Sequence, residues 1–363
     1  MRRWPKPAEG SWTGHYPDLG TGPISFEDSV SPEFYALERE AIFRRVWLNV
    51  CRVEDVPRDG SPFAKVITVT ATTIVVTRGS EGMLRASDAS DGRILHCDVW
   101  NGFVFVNLDP EPRQSLREFL GPMITALDGY PFDRLTERYD FVADNNSNWK
   151  LFTDAFQEYY HVPALHPQQV PAAVRVPDAG FECAHFQLDG PHRVVSTAGA
   201  RRWTLAPEAM YPIERETRSG LVGPWMTPDL GPLPEGVNPG GVDPWGISNF
   251  QIFPNVELLL YAGWYIWYRY WPTSPSTHHF DATLGFHPAR GVRERVEHEV
   301  AAVVFKEFAL QDAGMLGGTQ AALETRVLDR FPLNDQEILV RHFHKVVGDW
   351  VAAYREETER IPA

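Results

Sequence analysis

The chain has 363 residues, of which 43% are hydrophobic, and this length suits about two domains. The 48 acidic residues outnumber the 34 basic ones, and the formal net charge of -14 argues against a surface for nucleic acid or anionic membrane. Cys51, Cys97 and Cys183 lie far apart and predict no disulfide framework. No stretch approaches ~18 consecutive apolar residues, and the N-terminus lacks the apolar run of a signal peptide, so we expect a cytoplasmic protein with no membrane span.

The N-terminal third predicts an arm, a helix and a set of short strands. The first 30 residues are rich in Gly, Pro and Ser and indicate an extended arm. A helix is predicted over residues 31–47, with Ser31 as its N-cap and Pro32 in its first turn. Short β-branched runs bounded by turns follow and indicate strands up to about residue 110. A second helix is predicted over residues 115–127.

Residues 148–167 read NWKLFTDAFQEYYHVPALHP and contain three metal- or proton-binding side chains, Glu158, His161 and His166. Apolar residues at helical spacing predict a helix over 150–160. Two histidines five apart diverge on an unbroken helix by roughly 140°. Pro163 blocks the helix, so we expect His161 at its end and a turn that lets both imidazoles reach one point. Two imidazoles and a carboxylate form the facial triad of non-heme Fe(II) oxygenases. The spacing alone would also fit a helix end with solvated histidines.

This segment, with NWK, DAF and E-x-Y-H-x-x-x-x-H-P, resembles the catalytic-domain signature of Rieske-type ring-hydroxylating oxygenase α subunits. The resemblance covers nearly the whole chain. It implies that His161 and His166 bind mononuclear iron and that a carboxylate on a later helix completes the triad. It also implies that Glu158 links the iron site to the iron–sulfur domain of a neighbouring subunit. Asp154 departs from the signature, which more often has Glu-Asn before the Phe.

The segment that holds an iron–sulfur cluster in this family has no counterpart here. Family members carry several dozen residues with the motifs C-x-H and C-x-x-H at this place, whereas this chain passes from the turn SDASDG directly into residues 93–102. A Rieske centre needs two cysteines and two histidines. The sole C-x-H, Cys183 to His185, has no C-x-x-H partner, and His96-Cys97 has the wrong order. We therefore expect no cluster on this chain.

The C-terminal half begins with loops and continues with strands. Residues 167–247 are rich in Pro, Gly and Trp and predict long irregular loops, which in the family build and cover the substrate pocket. Residues 249–286 predict a run of strands, with His278 and His279 as solvated residues of a turn. Alternation predicts two aromatic faces, with Tyr261, Tyr265 and Trp267 on one and Trp264 and Tyr268 on the other.

A long helix predicted over residues 293–326 carries the third candidate ligand. In the family an acid at this place is the third iron ligand, and Asp312 matches it. Glu307, on another side of the helix, is the alternative, and a solvated carboxylate is the explanation without a metal. Three glycines, at 314, 317 and 318, weaken this turn and would let it deform around a metal. A final amphipathic helix starts at Asn334, and its His342 and His344 are expected at the surface.

The predicted fold is α+β with two domains. Residues 1–135 would form the arm, the first helix and a Rieske-like β sandwich that lacks the cluster lobe. Residues 136–363 would form the catalytic domain, for which the resemblance implies a helix-grip (START/SRPBCC-like) architecture of an antiparallel sheet and a long C-terminal helix.

The resemblance implies a terminal oxygenase α-type subunit. His161, His166 and Asp312 would hold mononuclear Fe(II), and O2 would hydroxylate a hydrophobic aromatic or polycyclic substrate. Electrons would come from a [2Fe-2S] centre on a Rieske-bearing paralogous subunit, fed by a reductase, across a trimer-type oligomer with Glu158 at the interface. Two alternatives stay open: a non-catalytic ligand-binding or assembly subunit that pairs with a complete paralogue, and a truncated chain without activity of its own.

Overall fold

The computed structural model describes residues 8, 10–159, 161–166, 183–198, 212–220, 223–243 and 245–360. Within these residues the helices α1 to α8 cover Ser11–His15, Pro32–Glu38, Leu116–Thr125, Trp149–Ala155, Val162–Leu165, Pro212–Thr217, Val292–Glu324 and Ile338–Glu359. The strands β1 to β17 cover Ile24–Ser25, Trp47–Arg52, Phe63–Ile67, Thr72–Arg78, Leu84–Asp88, Ile94–Trp100, Phe103–Asn107, Glu137–Asn145, Cys183–Asp189, His192–Ala198, Ser219–Gly220, Gly223–Pro224, Trp245–Ile252, Val256–Tyr261, Trp264–Ser274, Thr277–Phe286 and Arg330–Phe331. None of the described helices has the length and apolar character needed to cross a membrane.

An antiparallel six-stranded sheet forms the N-terminal part, in the order β2-β7-β6-β5-β4-β3. Its strands follow the predicted period of two, since Thr72, Ile74 and Val76 of β4 are buried and the residues between them are not. β5 and β6 are joined through residues 89–93, where the backbone N–H of Gly92 donates to the carbonyl of Asp88 at 2.9 Å. This short turn is the SDASDG turn, where the resemblance described above would place a cluster segment.

An antiparallel seven-stranded sheet forms the larger part, in the order β8-β16-β15-β14-β13-β10-β9. Helix α7 packs against this sheet through Phe305, whose ring lies 5.3 Å from Phe141 of β8 and 5.9 Å from Tyr268 of β15. One hydrophobic core runs through both sheets, and a smaller cluster lies apart from it around Trp12. The prediction of antiparallel sheets with a long C-terminal helix is confirmed.

Three predicted helix starts are confirmed by their caps. Ser31 accepts a hydrogen bond from the N–H of Phe34, Ser115 accepts one from Glu118, and Asn334 accepts one from Gln336 before α8. The predicted helix ends are less accurate. The first helix ends at Glu38, continues as a wider π-type turn over Arg39–Phe43, and gives way to β2 at Trp47. α7 runs unbroken through its three glycines, and the expected deformation around a metal stays a prediction.

Other local predictions are wrong because distant partners decide them. Residues 183–198 form the hairpin β9–β10 instead of an irregular loop, while 167–182 and 199–211 lie outside the described residues. Tyr261 lies opposite Trp264 across the β14–β15 turn and therefore shares its face, not that of Tyr265. His278 is buried against Asn145 and the carbonyl of Ser147.

The two histidines of α8 are also buried, contrary to the surface prediction. His342 Nε2 donates to the carbonyl of Gly190 at 3.1 Å. The ring nitrogens of His344 lie 2.6 Å from Asp28 and 2.9 Å from Asp154. These contacts join α8 to the N-terminal arm and to α4, which carries the start of the histidine segment.

Candidate metal centre

The histidine segment is built from two short helices instead of one long helix. α4 begins at the cap Asn148, whose side chain accepts the N–H of Lys150 at 2.9 Å. It ends at Ala155, and the free carbonyl of Phe156 accepts a hydrogen bond from Asn249 of β13 at 2.7 Å. The predicted end at residue 160 is therefore wrong. Pro163 lies in the first turn of α5, where a missing N–H costs nothing.

The two histidines flank α5, with His161 before its first residue and His166 after its last. This single turn brings the ring centroids to 5.6 Å from each other. Nε2 of His166 lies 3.1 Å from Oδ1 of Asp312, and Nε2 of His161 lies 3.9 Å from the same oxygen. One ligand atom from each of the three residues lies within 4.8 Å of the other two, the one such His/Cys/Asp/Glu group in the described chain.

Both imidazoles are oriented by acceptors behind them. Nδ1 of His161 lies 2.7 Å from Oε1 of Glu158, and Nδ1 of His166 lies 2.7 Å from Oε1 of Gln311. Because a carboxylate or amide oxygen only accepts, both Nδ1 atoms donate. In a neutral ring the lone pair then lies on Nε2, which faces Asp312 in both cases. Glu158 also accepts the backbone N–H of His161 through Oε2 at 3.1 Å.

Asp312 is left without a hydrogen-bond donor by this arrangement. Its side chain is 1% exposed, and neither carboxylate oxygen has a hydrogen-bond partner. A buried carboxylate facing two imidazole lone pairs is unfavourable unless a proton or a cation lies between them. Burial lowers the pKa of His161, but its hydrogen bond to Glu158 and the charges of Glu158 and Asp312 raise that pKa above its ordinary value. The residues therefore fit a divalent metal held by two nitrogens and one carboxylate.

α7 presents Asp312 on its buried face. Phe308, Leu316 and Gln320, spaced four residues apart around it, are buried on that face. Oε1 of Gln320 accepts the N–H of Asn148 at 2.9 Å, which ties this face of α7 to the start of α4. The alternative acid Glu307 is exposed and is not part of the group of close ligand atoms in the described chain.

A cavity opens beside the three residues. Its described lining is apolar or aromatic apart from the candidate ligands: Ala155, Phe156, Tyr159, Val162, Ile247, Leu259, Tyr261 and Phe308. Such a site would bind an apolar molecule next to a metal at the triad.

Two residues that support the site were not identified from sequence. Gln311 is a polar neighbour of Asp312, but its orientation toward His166 depends on a contact across 145 residues. Asn249 lies in a strand and holds the end of α4 while it also donates to Glu257 at 2.7 Å. Only the adjacency of Gln311 to Asp312 was a usable sequence signal.

The sequence model of the family described as ring hydroxylating alpha subunit (catalytic domain) matches residues 132–353, more than half of the chain. The large subunit of anthranilate 1,2-dioxygenase from Acinetobacter baylyi is 23% identical over 207 residues, and the match spans 41% of this chain and 44% of that subunit. This chain thus spans less than half the length of that curated relative.

Solved structures show the same fold over most of the chain. The quaternary ammonium Rieske monooxygenase CntA, in complex with an inhibitor, has a TM-score of 0.65 at 13% identity, with 95% of this chain and 99% of that chain covered. Naphthalene 1,2-dioxygenase from Rhodococcus sp., bound to indole, has a TM-score of 0.63 at 15% identity, with 91% and 94% covered. With the family match over residues 132–353, this chain belongs to the ring-hydroxylating α subunits.

Proposed function

We propose that this chain is a terminal oxygenase α-type subunit that holds mononuclear Fe(II) through His161, His166 and Asp312. The observation that carries the proposal is the buried carboxylate of Asp312, which has no hydrogen-bond partner and faces two imidazoles whose Nδ1 atoms are already engaged. The substrate would be an apolar aromatic or polycyclic molecule, because the described cavity wall beside the triad is apolar. The reaction would be its hydroxylation.

The metal and the residues around it would have separate roles in this reaction. Bound Fe(II) would supply the binding and reductive activation of O2. Glu158 and Gln311 hold the two rings in the tautomer that exposes Nε2, which raises ligand basicity and fixes ring orientation. The side chains of Phe308 and Tyr261 line the cavity and would present an apolar wall to the substrate.

The electrons would come from another chain. Glu158 contacts His161 and its side chain keeps 12% exposure, so it can form a contact from outside. The chain has three cysteines and no paired C-x-H and C-x-x-H motifs. A paralogous subunit with a [2Fe-2S] Rieske centre, fed by a reductase and docked in a trimer-type ring, would supply what is absent. In this assembly residues 1–135 would form a Rieske-like β domain without the cluster lobe, and residues 136–363 a helix-grip catalytic domain.

The first experiment measures iron. Anaerobically loaded protein is expected to bind about one Fe(II) per chain, and His161→Ala, His166→Ala or Asp312→Asn is expected to abolish this binding, because a three-ligand site tolerates no loss. Glu307→Gln removes an exposed acid of the same helix and is the matched control, with iron content as in wild type. Equal iron in wild type and in a variant lacking all three ligands would show that the assignment is wrong.

A second experiment tests the role of Glu158 and the need for a partner subunit. With a Rieske-bearing paralogue and a reductase, Glu158→Gln is expected to keep iron and fold but to slow substrate-dependent O2 uptake strongly. Turnover of the isolated chain with reductase alone would contradict the need for a partner cluster. Full paralogue activity with iron-free variants would favour the alternative of a non-catalytic ligand-binding or assembly subunit.

A further inference from the structure

Two side chains between α4 and His166 lie outside the main core, whereas Phe156 belongs to it. The side chains of Tyr159 and Val162 belong to the smaller cluster, termed here the arm cluster. Its buried members come from the N-terminal arm, the histidine segment, β9, β10 and the start of α8: Trp12, Tyr159, Val162, Cys183, Val195, Ile338 and Leu339.

Trp12 is held in the arm cluster from two sides. Its ring stacks on Phe186 with centroids 4.2 Å apart, and it is 4% exposed. Asp335, just before α8, accepts the backbone N–H of Trp12 at 3.2 Å, the N–H of Thr13 at 2.9 Å and the hydroxyl of Thr13 at 2.8 Å. A five-residue helix is marginal by itself, so these contacts fix α1 where it lies.

Tyr159 and Val162 contact both the arm cluster and the cavity. Both line the cavity beside the triad, and Val162 directly follows His161. The arm cluster is thus continuous with the cavity wall through these two residues. A side chain that fills the arm cluster therefore limits how far the backbone at Tyr159 and at Val162 can move.

We propose that Trp12 is a positioning residue for the candidate metal centre. By filling the arm cluster it holds Tyr159 and Val162 in place and so keeps Nε2 of His161 directed toward Asp312. The inference rests on the proposed iron site for its functional meaning, while the packing it describes exists without a metal. It assigns to the N-terminal arm a part in the site that lies about 150 residues later in the sequence.

The test compares Trp12→Ala with Trp12→Phe and with Trp350→Ala. Trp350 of α8 is a half-buried tryptophan that stacks on Phe253 at 6.3 Å and packs against the main core, so it is the matched control. Two quantities are measured: backbone hydrogen exchange of metal-free protein over residues 159–166, and Fe(II) affinity by anaerobic competition with a chelator.

Trp12→Ala is expected to speed exchange over residues 159–166 and to leave α7 and the six-stranded sheet unchanged. Fe(II) binding should weaken by about tenfold, as for loss of a group that orients a metal ligand. Trp12→Phe keeps an aromatic ring against Phe186 and should restore both quantities most of the way. Trp350→Ala should lower the melting temperature without changing either quantity.

Unchanged exchange over residues 159–166 in Trp12→Ala would overturn the inference, as would equal loss of iron affinity in Trp350→Ala. If Trp12→Ala does not fold, Asp335→Asn decides instead, because it weakens the anchor of α1 and leaves every ring in place. Failure of wild type to bind iron would refute the proposed function, and the exchange measured on metal-free protein would still decide the role of Trp12.

Discussion

The two sheets differ in how much charge they bury. Within residues 47–107, all of which the structure describes, the buried charged side chains are Arg52 and Asp88. The seven-stranded sheet and the helices around it bury many more, arranged in contacts such as Lys150 with Glu38 and His344 with Asp28 and Asp154. Buried charge costs stability unless it is paired. The larger number of buried charges around the seven-stranded sheet therefore marks the part of the chain that keeps a polar interior, and this part also holds the candidate metal centre.

The largest change in stability is expected from breaking the Lys150–Glu38 pair. Nζ of Lys150 lies 2.6 Å from Oε2 of Glu38, and both side chains are 0% exposed. Lys150→Met leaves a buried carboxylate without its cation and is expected to cost about 3–5 kcal/mol of unfolding free energy in urea. The double variant with Glu38→Gln should recover part of this loss.

The control for that pair lies in the other sheet. Arg85 of β5 is exposed, so Arg85→Met is expected to change the unfolding free energy by less than about 0.5 kcal/mol. A comparable loss in both variants would remove the contrast between the two sheets.

A smaller effect, with a pH signature, is expected at His344. Burial lowers the pKa of His344, but the carboxylates of Asp28 and Asp154 raise it to about 10. Because the folded-state pKa lies above the unfolded value of about 6.5, the stabilisation is complete below that value and is lost as pH rises toward 10. His344→Gln should therefore cost about 3 kcal/mol at pH 6 and much less at pH 10.

The measurement is the unfolding free energy of both proteins across this pH range. Asp28 also experiences the charge of Lys150, so Lys150 must be intact in both proteins. A difference between wild type and His344→Gln that stays constant from pH 6 to pH 10 would contradict a buried imidazolium at this place.

The smallest effect is expected in the N-terminal sheet. His96 lies on β6 with Nε2 3.0 Å from the carbonyl of Pro110, and Cys97 is half-buried beside it. Because these residues form no Cys2His2 set, His96→Ala and Cys97→Ser should leave iron content unchanged, and all three proteins should contain no acid-labile sulfide. A reddish-brown wild type with a rhombic signal after reduction would contradict both this expectation and the need for a partner cluster.

Sequence signals predicted correctly those features that depend on residues close together in the chain. The caps Ser31, Ser115 and Asn334 marked helix starts because a side-chain acceptor acts within three residues. The pairing of His161 with His166 followed from their spacing, and Asp312 followed from the family resemblance alone. The structure brings the ligand atoms of all three within 4.8 Å of one another. Their role as iron ligands and the role of Glu158 remain predictions, as does the division at residues 135 and 136.

Contacts between residues far apart in the sequence decided the features that were predicted wrongly. α4 stops at Ala155 where Asn249, 93 residues away from Phe156, satisfies its last turn. His344 is buried because Asp28 and Asp154 meet it from 316 and 190 residues away. No periodicity within α8 contains that information, and an amphipathic pattern places such a histidine at the surface by default.

The unbroken course of α7 restricts how the chain can change in length. Each residue of an α-helix adds ~1.5 Å and ~100° of rotation. One residue inserted between Phe305, which packs on the sheet, and Asp312 would turn that carboxylate away from the histidines unless α7 bulged to absorb it. The turn at residues 89–93 lies at a strand end, is exposed, and can lengthen without moving β5 or β6. Insertions and deletions along this chain should therefore accumulate at that turn and be excluded from the first two-thirds of α7.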